Sequence, residues 1–136
     1  MSKIYEAIIS NNGGRIGEVY SPDESFMYRV VSPTSNVKNA TNPEELFAAA
    51  YSSCFNGALE LVLSKRGLMN KSIVTAKVSL NENEKESYSI SVVLEILIEG
   101  LSKELAMEVI TEADLVCPYS KAIRGNVDKE IKLVNK

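Results

Sequence analysis

The sequence has 136 residues, two cysteines, no histidine and a formal net charge of −3 at pH 7. The length suits one hydrophobic core, so we predict a single domain over residues 1–136. The lack of histidine argues against hydrolases with an imidazole base and against most catalytic zinc sites, and the interspersed charges argue against nucleic-acid binding.

The first residues lack the basic and apolar regions of a secretion signal, and no run approaches the roughly 18 consecutive apolar residues of a membrane span. We therefore expect a cytoplasmic protein that does not act at a membrane. Gly13–Gly17 matches neither a phosphate-binding loop nor a dinucleotide fingerprint, and the two cysteines lack the paired spacing of a zinc site. We expect no bound cofactor and no metal.

Three short runs rich in β-forming residues open the chain, at 4–9, 15–20 and 26–31. The segments between them, Asn11–Gly14 and Ser21–Glu24, have the composition of turns. This pattern predicts a small antiparallel meander.

A polar stretch over 32–41 precedes a predicted helix over 43–64. Thr41 or Asn42 can cap its first amides, Pro43 suits its first position, and acidic residues follow at the positive end of the helix dipole. Its apolar side chains form a wide face of two rows, which predicts burial in the core or at a subunit interface. The rows are Leu46, Ala50, Cys54, Ala58 and Val62, and Phe47, Tyr51, Phe55, Leu59 and Leu63.

The second half of the chain predicts a long hairpin of strands 73–80 and 88–99. A second helix follows, capped by Ser102 and ending at Cys117, and a last strand covers 127–134. The predicted fold class is α+β, with antiparallel strands in two groups around two core helices.

The two cysteines are the residues most suited to chemistry, since a buried thiol pair without histidine suggests redox activity that ends in a disulfide. Each cysteine alone is equally consistent with a small buried hydrophobe. A nucleophilic cysteine reacts as the thiolate, and Cys54 lies too far along its helix for the dipole to help. It needs a cation from elsewhere, and Arg15 is the candidate, although composition alone favours a solvated turn residue there.

Three segments closely resemble the signature regions of the Ohr/OsmC family, most closely its organic hydroperoxide resistance (Ohr) branch: Gly13–Arg15, Thr41–Leu59 and Val116–Val127. The resemblance covers almost the whole chain. It implies an OsmC-like fold, an intertwined homodimer and a thiol peroxidase. Cys54 would be the peroxidatic cysteine, Cys117 the resolving cysteine, and Arg15 with Glu44 the pair that activates the thiolate. Without the resemblance, Glu44 is simply an acidic residue that favours a helix N-terminus.

The resemblance also implies that the substrates are organic hydroperoxides and that a lipoyl-type dithiol, free or carried on a protein, recycles the enzyme. The sequence departs from the family at two positions where histidine is common, namely Asn56 and Asp114. Asp114 would alter the charge near Cys117.

The ten residues from Glu44 to Cys54 would span about 15 Å of a continuous helix. We therefore expect the pair of Arg15 and Glu44 to act on Cys54 at least partly from a second subunit of a homodimer. Apolar side chains could wall the substrate pocket; the candidates are Met27, Phe47, Tyr51 and Phe55.

Three alternatives stay open on the sequence alone. One is an OsmC-branch peroxidase with a broader range of substrates. Another is a thiol redox sensor without catalytic activity, and the third is a structural dimer whose cysteines are inert core residues.

Overall fold

The computed structural model describes residues 1–134, and the chain divides into two compact units, Met1–Leu46 and Phe47–Lys136. Each unit is described below by itself, and the single domain stays a prediction.

The first unit contains a four-stranded sheet. Its strands are β1 (Ser10–Asn12), β2 (Gly17–Tyr20), β3 (Met27–Val30) and β4 (Ala40–Thr41). They lie in the order β1-β2-β3-β4; β1, β2 and β3 form an antiparallel meander, and β4 pairs in parallel with β3. The meander is confirmed, whereas β4 lies in a stretch that its polar composition marked as loop.

The prediction of a strand at 4–9 is wrong. The strand β1 covers Ser10–Asn12, so it begins one residue before the expected turn and includes the first two residues of that turn. Ile4 is 95% exposed. A β-forming sequence becomes a strand only where a neighbouring strand accepts its hydrogen bonds. Among residues 1–134, no strand pairs with 4–9.

The helix α1 runs without interruption from Pro43 to Lys65, close to the predicted bounds. The side chain of Asn42 accepts a hydrogen bond of 2.8 Å from the backbone N–H of Glu45, which confirms Asn42 as the capping residue. By length and composition α1 could also cross a membrane. The sequence argument counted consecutive apolar residues and therefore did not find this helix. A few small polar residues interrupt the apolar run, but they hardly reduce the mean hydropathy of the helix. Core helices of soluble proteins have the same properties.

The second unit contains a three-stranded sheet of β5 (Ser72–Glu84), β6 (Ser87–Ile98) and β7 (Asp128–Leu133). The strand β6 is central, antiparallel to β5 and parallel to β7. The hairpin is longer and its turn tighter than predicted, because the polar side chains beyond residue 80 lie on exposed strands where polar residues are tolerated.

Two more helices follow the hairpin. The helix α2 (Lys103–Val116) begins after Ser102, whose hydroxyl accepts a hydrogen bond from the N–H of Leu105, as predicted. The short helix α3 (Pro118–Ile123) was not predicted. Pro118 was interpreted only as the end of α2, but proline is also favourable at the first position of a new helix.

The core of the second unit combines side chains from α1, β6, α2 and α3. Its buried members are Tyr51, Phe55, Ala58, Leu59, Val62, Leu63, Val92, Leu94, Ile96, Ile98, Ala106, Val109, Ile110, Ala113, Cys117 and Ile123. The even-numbered positions of β6 from Val92 onward alternate into this core, whereas Tyr88 is exposed at the hairpin end. The apolar face predicted for α1 is therefore confirmed, and α1 and α2 together bring Cys54 and Cys117 to one place.

Candidate active site

The two thiols lie against each other in the second unit. Cys54 projects from α1, and Cys117 lies at the junction between α2 and α3. Their sulfur atoms are 3.5 Å apart, with the Cys117 thiol donating to Cys54, and both cysteines are free. Since a disulfide bond is about 2.05 Å long, closure needs the two sulfurs to approach by about 1.5 Å.

The two sulfurs differ in their exposure. Cys117 is completely buried, whereas Cys54 is partly exposed. A reagent from solution can therefore reach Cys54 more readily than Cys117. This asymmetry suits an attacking sulfur at Cys54 and a resolving sulfur at Cys117.

The surroundings of Cys54 raise the pKa of its thiol. Burial is the largest cause, and the neighbouring Cys117 thiol adds to it, while a hydrogen bond from the backbone N–H of Tyr119 acts in the opposite direction. The Tyr119 amide is a functional group that the sequence analysis missed. The only available signal was Pro118, which begins the helix that presents this amide.

Cys117 is held more firmly than the sequence suggested. The sequence indicated only the end of a helix at Cys117, but Cys117 ends α2 and also begins α3. Its N–H donates to the carbonyl of Ala113, and its own carbonyl accepts from the N–H of Lys121. Both backbone groups of Cys117 are therefore hydrogen-bonded at a buried junction between two helices.

Arg15 and Glu44 form a two-pronged ion pair in the first unit. The guanidinium donates to both carboxylate oxygens of Glu44, at distances of 2.8 and 3.2 Å. The Glu44 side chain is only 14% exposed and that of Arg15 is 53% exposed. The hydrogen bond to Glu44 raises the pKa of Arg15 further above its ordinary value, so this cation stays charged at all physiological pH values. The predicted pairing of these residues is confirmed, and Arg15 is not simply a solvated turn residue.

The turn that carries Arg15 requires glycine. Gly13 has a φ of +80°, and a Cβ atom there would collide with the carbonyl oxygen of Ile16. The side chain of Asn11 closes the turn, accepting from the N–H of Gly14 and donating to the carbonyls of Gly14 and Glu18. This local network fixes the backbone from which Arg15 reaches Glu44.

Glu44 lies in the first turn of α1, and that turn is helical. The ten residues between Glu44 and Cys54 therefore correspond to about 15 Å along the helix axis. An unwound first turn would have undermined the argument for a second subunit, and α1 has none. The action of Arg15 and Glu44 on Cys54 stays a prediction.

The two positions that depart from the family's histidines have structural partners. The Asn56 side chain donates to the carbonyl of Ser72 and accepts from its hydroxyl, which links α1 to the start of β5. Asp114 forms an ion pair with Lys129 of β7, and its carbonyl accepts from Arg124. Both substitutions therefore connect elements of the second unit.

The four side chains that could wall the substrate pocket differ in their exposure. Tyr51 and Phe55 are completely buried, which favours a core role for both; the apolar periodicity of α1 does not separate core from pocket positions. Phe47 is partly buried, and Met27 is exposed.

Within residues 1–134, no group of three or more His, Cys, Asp or Glu side chains could hold a metal ion.

Comparison with known proteins identifies the family. Residues 35–132 match the family described as OsmC-like protein. The chain belongs to this family. The organic hydroperoxide resistance protein OhrB of Bacillus subtilis is 38% identical over 133 residues, which cover 96% of this chain and 98% of that protein. Organic hydroperoxide resistance protein-like 2 of Staphylococcus epidermidis is 36% identical over 135 residues, covering 96% and 95% of the two chains.

Solved structures agree with the sequence comparison. The crystal structure of B. subtilis OhrB has a TM-score of 0.90 at 37% identity and covers 97% of this chain and 100% of that chain. An organic hydroperoxide resistance protein from Elizabethkingia anophelis has a TM-score of 0.91 at 36% identity and covers both chains completely. The predicted family, its Ohr branch and the α+β OsmC-like fold are confirmed.

Proposed function

We propose that this OsmC-like protein is a thiol peroxidase that reduces organic hydroperoxides to alcohols in the cytoplasm. The observation that carries the proposal is the contact of 3.5 Å between a partly exposed and a fully buried free thiol. The relatives named as organic hydroperoxide resistance proteins support the substrate class.

In the first step, the Cys54 thiolate attacks one oxygen of the hydroperoxide. The O–O bond breaks, the departing alkoxide takes up a proton to become the alcohol, and Cys54 becomes a sulfenic acid. Burial raises the pKa of Cys54, so the thiolate needs positive charge or donors to form near pH 7. The Tyr119 amide supplies one donor.

Arg15 supplies the positive charge in this proposal. Its pairing with Glu44 fixes the plane of the guanidinium, which can then stabilise the thiolate and the charge on the leaving oxygen. The length of the helix between Glu44 and Cys54 favours action across a homodimer, in which each subunit provides this pair to the cysteines of the other.

In the second step, the Cys117 sulfur attacks the sulfenic sulfur of Cys54. An S–S bond forms, the S–OH bond breaks, and the hydroxyl leaves as water with the proton from Cys117. An external dithiol of the lipoyl type then reduces the disulfide by thiol exchange and becomes a disulfide itself. No bound metal or cofactor takes part in the proposed cycle.

The test is hydroperoxide consumption by the purified wild-type protein with dihydrolipoamide as the reductant. We expect turnover of cumene and fatty-acid hydroperoxides with a kcat/KM well above that for hydrogen peroxide. Comparable values for all three substrates would favour a broader OsmC-type peroxidase. Stoichiometric oxidation of the thiols without turnover, whatever the dithiol offered, would instead indicate a redox sensor.

A further inference from the structure

A chain of polar side chains lies beside the two cysteines in an otherwise apolar core. We call it the polar brace; it consists of Tyr51, Ser120, Asp114 and Lys129, contributed by α1, α3, α2 and β7. The Tyr51 hydroxyl lies 2.7 Å from the Ser120 hydroxyl, and both residues are completely buried. Lys129 forms an ion pair with Asp114.

Hydrogen bonds and an ion pair connect the members of the polar brace. Burial opposes the ionised form of Asp114, but hydrogen bonds from Lys129 and Ser120 outweigh burial, and the pKa of Asp114 is lowered. The Tyr51 and Ser120 hydroxyls share one hydrogen bond, in which either oxygen can be the donor. The hydroxyls of Tyr51 and Ser120 therefore both have a hydrogen-bond partner, and no buried side-chain N or O atom within residues 1–134 lacks one.

Three members of the polar brace each lie three positions from a cysteine in the sequence. Tyr51 is three positions before Cys54 on α1, about one helical turn away. Asp114 and Ser120 are three positions before and after Cys117, on the two helices that meet there. The brace therefore joins the same elements as the pair of thiols.

We propose that the polar brace positions Cys117 for resolution, by fixing the junction of α2 and α3 against α1 so that the two sulfurs stay within closing distance. This inference rests on the proposed function, since resolution is a step of that cycle. Apolar packing alone would bury the same elements, but hydrogen bonds are directional and specify one register between them. The four residues act through the backbone next to Cys117, so they are positioning residues.

The measurement is the effective concentration of the Cys54–Cys117 disulfide in glutathione redox buffers, read by thiol alkylation and mass spectrometry. Ser120→Ala removes the central hydroxyl, and Tyr51→Phe removes only the outer one. We expect each to lower the effective concentration about tenfold, the effect of one lost buried hydrogen bond on an equilibrium. If Ser120→Ala does not fold, Tyr51→Phe provides the same test with a smaller change.

Matched controls make the same chemical changes at exposed positions of two strands. Tyr88→Phe in β6 and Ser79→Ala in β5 should leave the effective concentration within about twofold of the wild type. Alkylation of Cys54 by iodoacetamide should also stay within about twofold in the brace variants, because the brace acts on Cys117. A merely structural role would lower the melting temperature without changing the thiol equilibrium.

Wild-type effective concentrations in both brace variants would overturn the proposal. An equal loss in Tyr88→Phe and Tyr51→Phe would overturn it too, because the effect would then not be specific. The glutathione equilibrium uses no peroxide. A failure of the brace proposal can therefore be distinguished from a failure of the proposed peroxidase function. The latter would appear as a wild-type protein that does not turn over hydroperoxides.

Discussion

The thiol of Cys117 donates a hydrogen bond to the sulfur of Cys54 across 3.5 Å, and only Cys54 is partly exposed. The Cys117 thiol adds to the rise in the pKa of Cys54, so this contact does not itself activate the thiolate. The same contact places the second sulfur next to the position where the sulfenic acid would form. The contact therefore serves resolution in the proposed cycle, whereas attack by Cys54 needs a cation from elsewhere.

Cys117→Ser should separate these two steps. Cys54 is intact in this variant, so we expect one round of hydroperoxide reduction followed by poor recycling. Accumulation of the sulfenic acid, trapped with dimedone and detected by mass spectrometry, is the measurement. Sustained turnover at the wild-type rate would remove Cys117 from the resolving role.

Arg15→Ala should raise the pKa of Cys54. Burial already raises this pKa, and loss of a nearby cation would further disfavour the thiolate. The alkylation rate of Cys54 against pH should therefore shift to higher pH, and hydroperoxide reduction near pH 7 should slow by about a hundredfold or more. Arg29→Ala, on β3 of the same unit, is the matched control and should leave both unchanged. A curve for Arg15→Ala that superimposes on the wild type would count against an activating role.

Mixing two inactive variants tests whether the pair acts across subunits. If Arg15 of one subunit serves Cys54 of the other, a heterodimer of Arg15→Ala and Cys54→Ser contains one complete site. Random mixing should then restore about one quarter of the wild-type activity, since half of the dimers are mixed and each has one of two sites. Absence of recovery, with heterodimers verified by native mass spectrometry, would place the complete site within one subunit.

Asp23 gives a prediction for stability against pH. Its carboxylate accepts hydrogen bonds from the amide and hydroxyl of Ser25 and from the hydroxyl of Ser21, and these lower its pKa from 3.8 to about 2. A lowered folded-state pKa contributes stability that is complete above about 4 and is lost as the pH falls through about 2.

Asp23→Asn should therefore melt at a lower temperature than the wild type at pH 7. The difference should shrink as the pH falls from about 4 towards 2, because the wild-type carboxylate becomes protonated there. Asp128→Asn, at the exposed start of β7, serves as the control in the same thermal scans. A difference that stays constant down to pH 2 would show that the carboxylate charge has no part in it.

The helices could be predicted from local signals. Asn42 and Ser102 cap their helices as expected, and most of the apolar rows of α1 lie in or against the core as their periodicity indicates. These features depend on residues within a few positions of each other. The strand predicted at 4–9 was wrong because strand formation depends on a partner that local sequence does not specify.

The contacts of the candidate active site were harder to predict from the individual residues. Arg15 and Glu44 are 29 positions apart, and the two cysteines are 63 apart, so neither contact follows from spacing. The presence of just two cysteines suggested the thiol pair, and the family resemblance supplied the pair of Arg15 and Glu44. Tyr119 and Ser120 were missed, because their roles come from α3, a six-residue helix whose only strong local signal is a proline.

The most direct test of the account is turnover of cumene hydroperoxide by Cys54→Ser with dihydrolipoamide as the reductant. Serine keeps the size and shape of the side chain but has no thiolate, so we predict complete loss of turnover and no sulfenic acid. Ser52→Ala, two positions earlier on α1, controls for changes in the helix and should remain active. Turnover by Cys54→Ser at the wild-type rate would contradict the account.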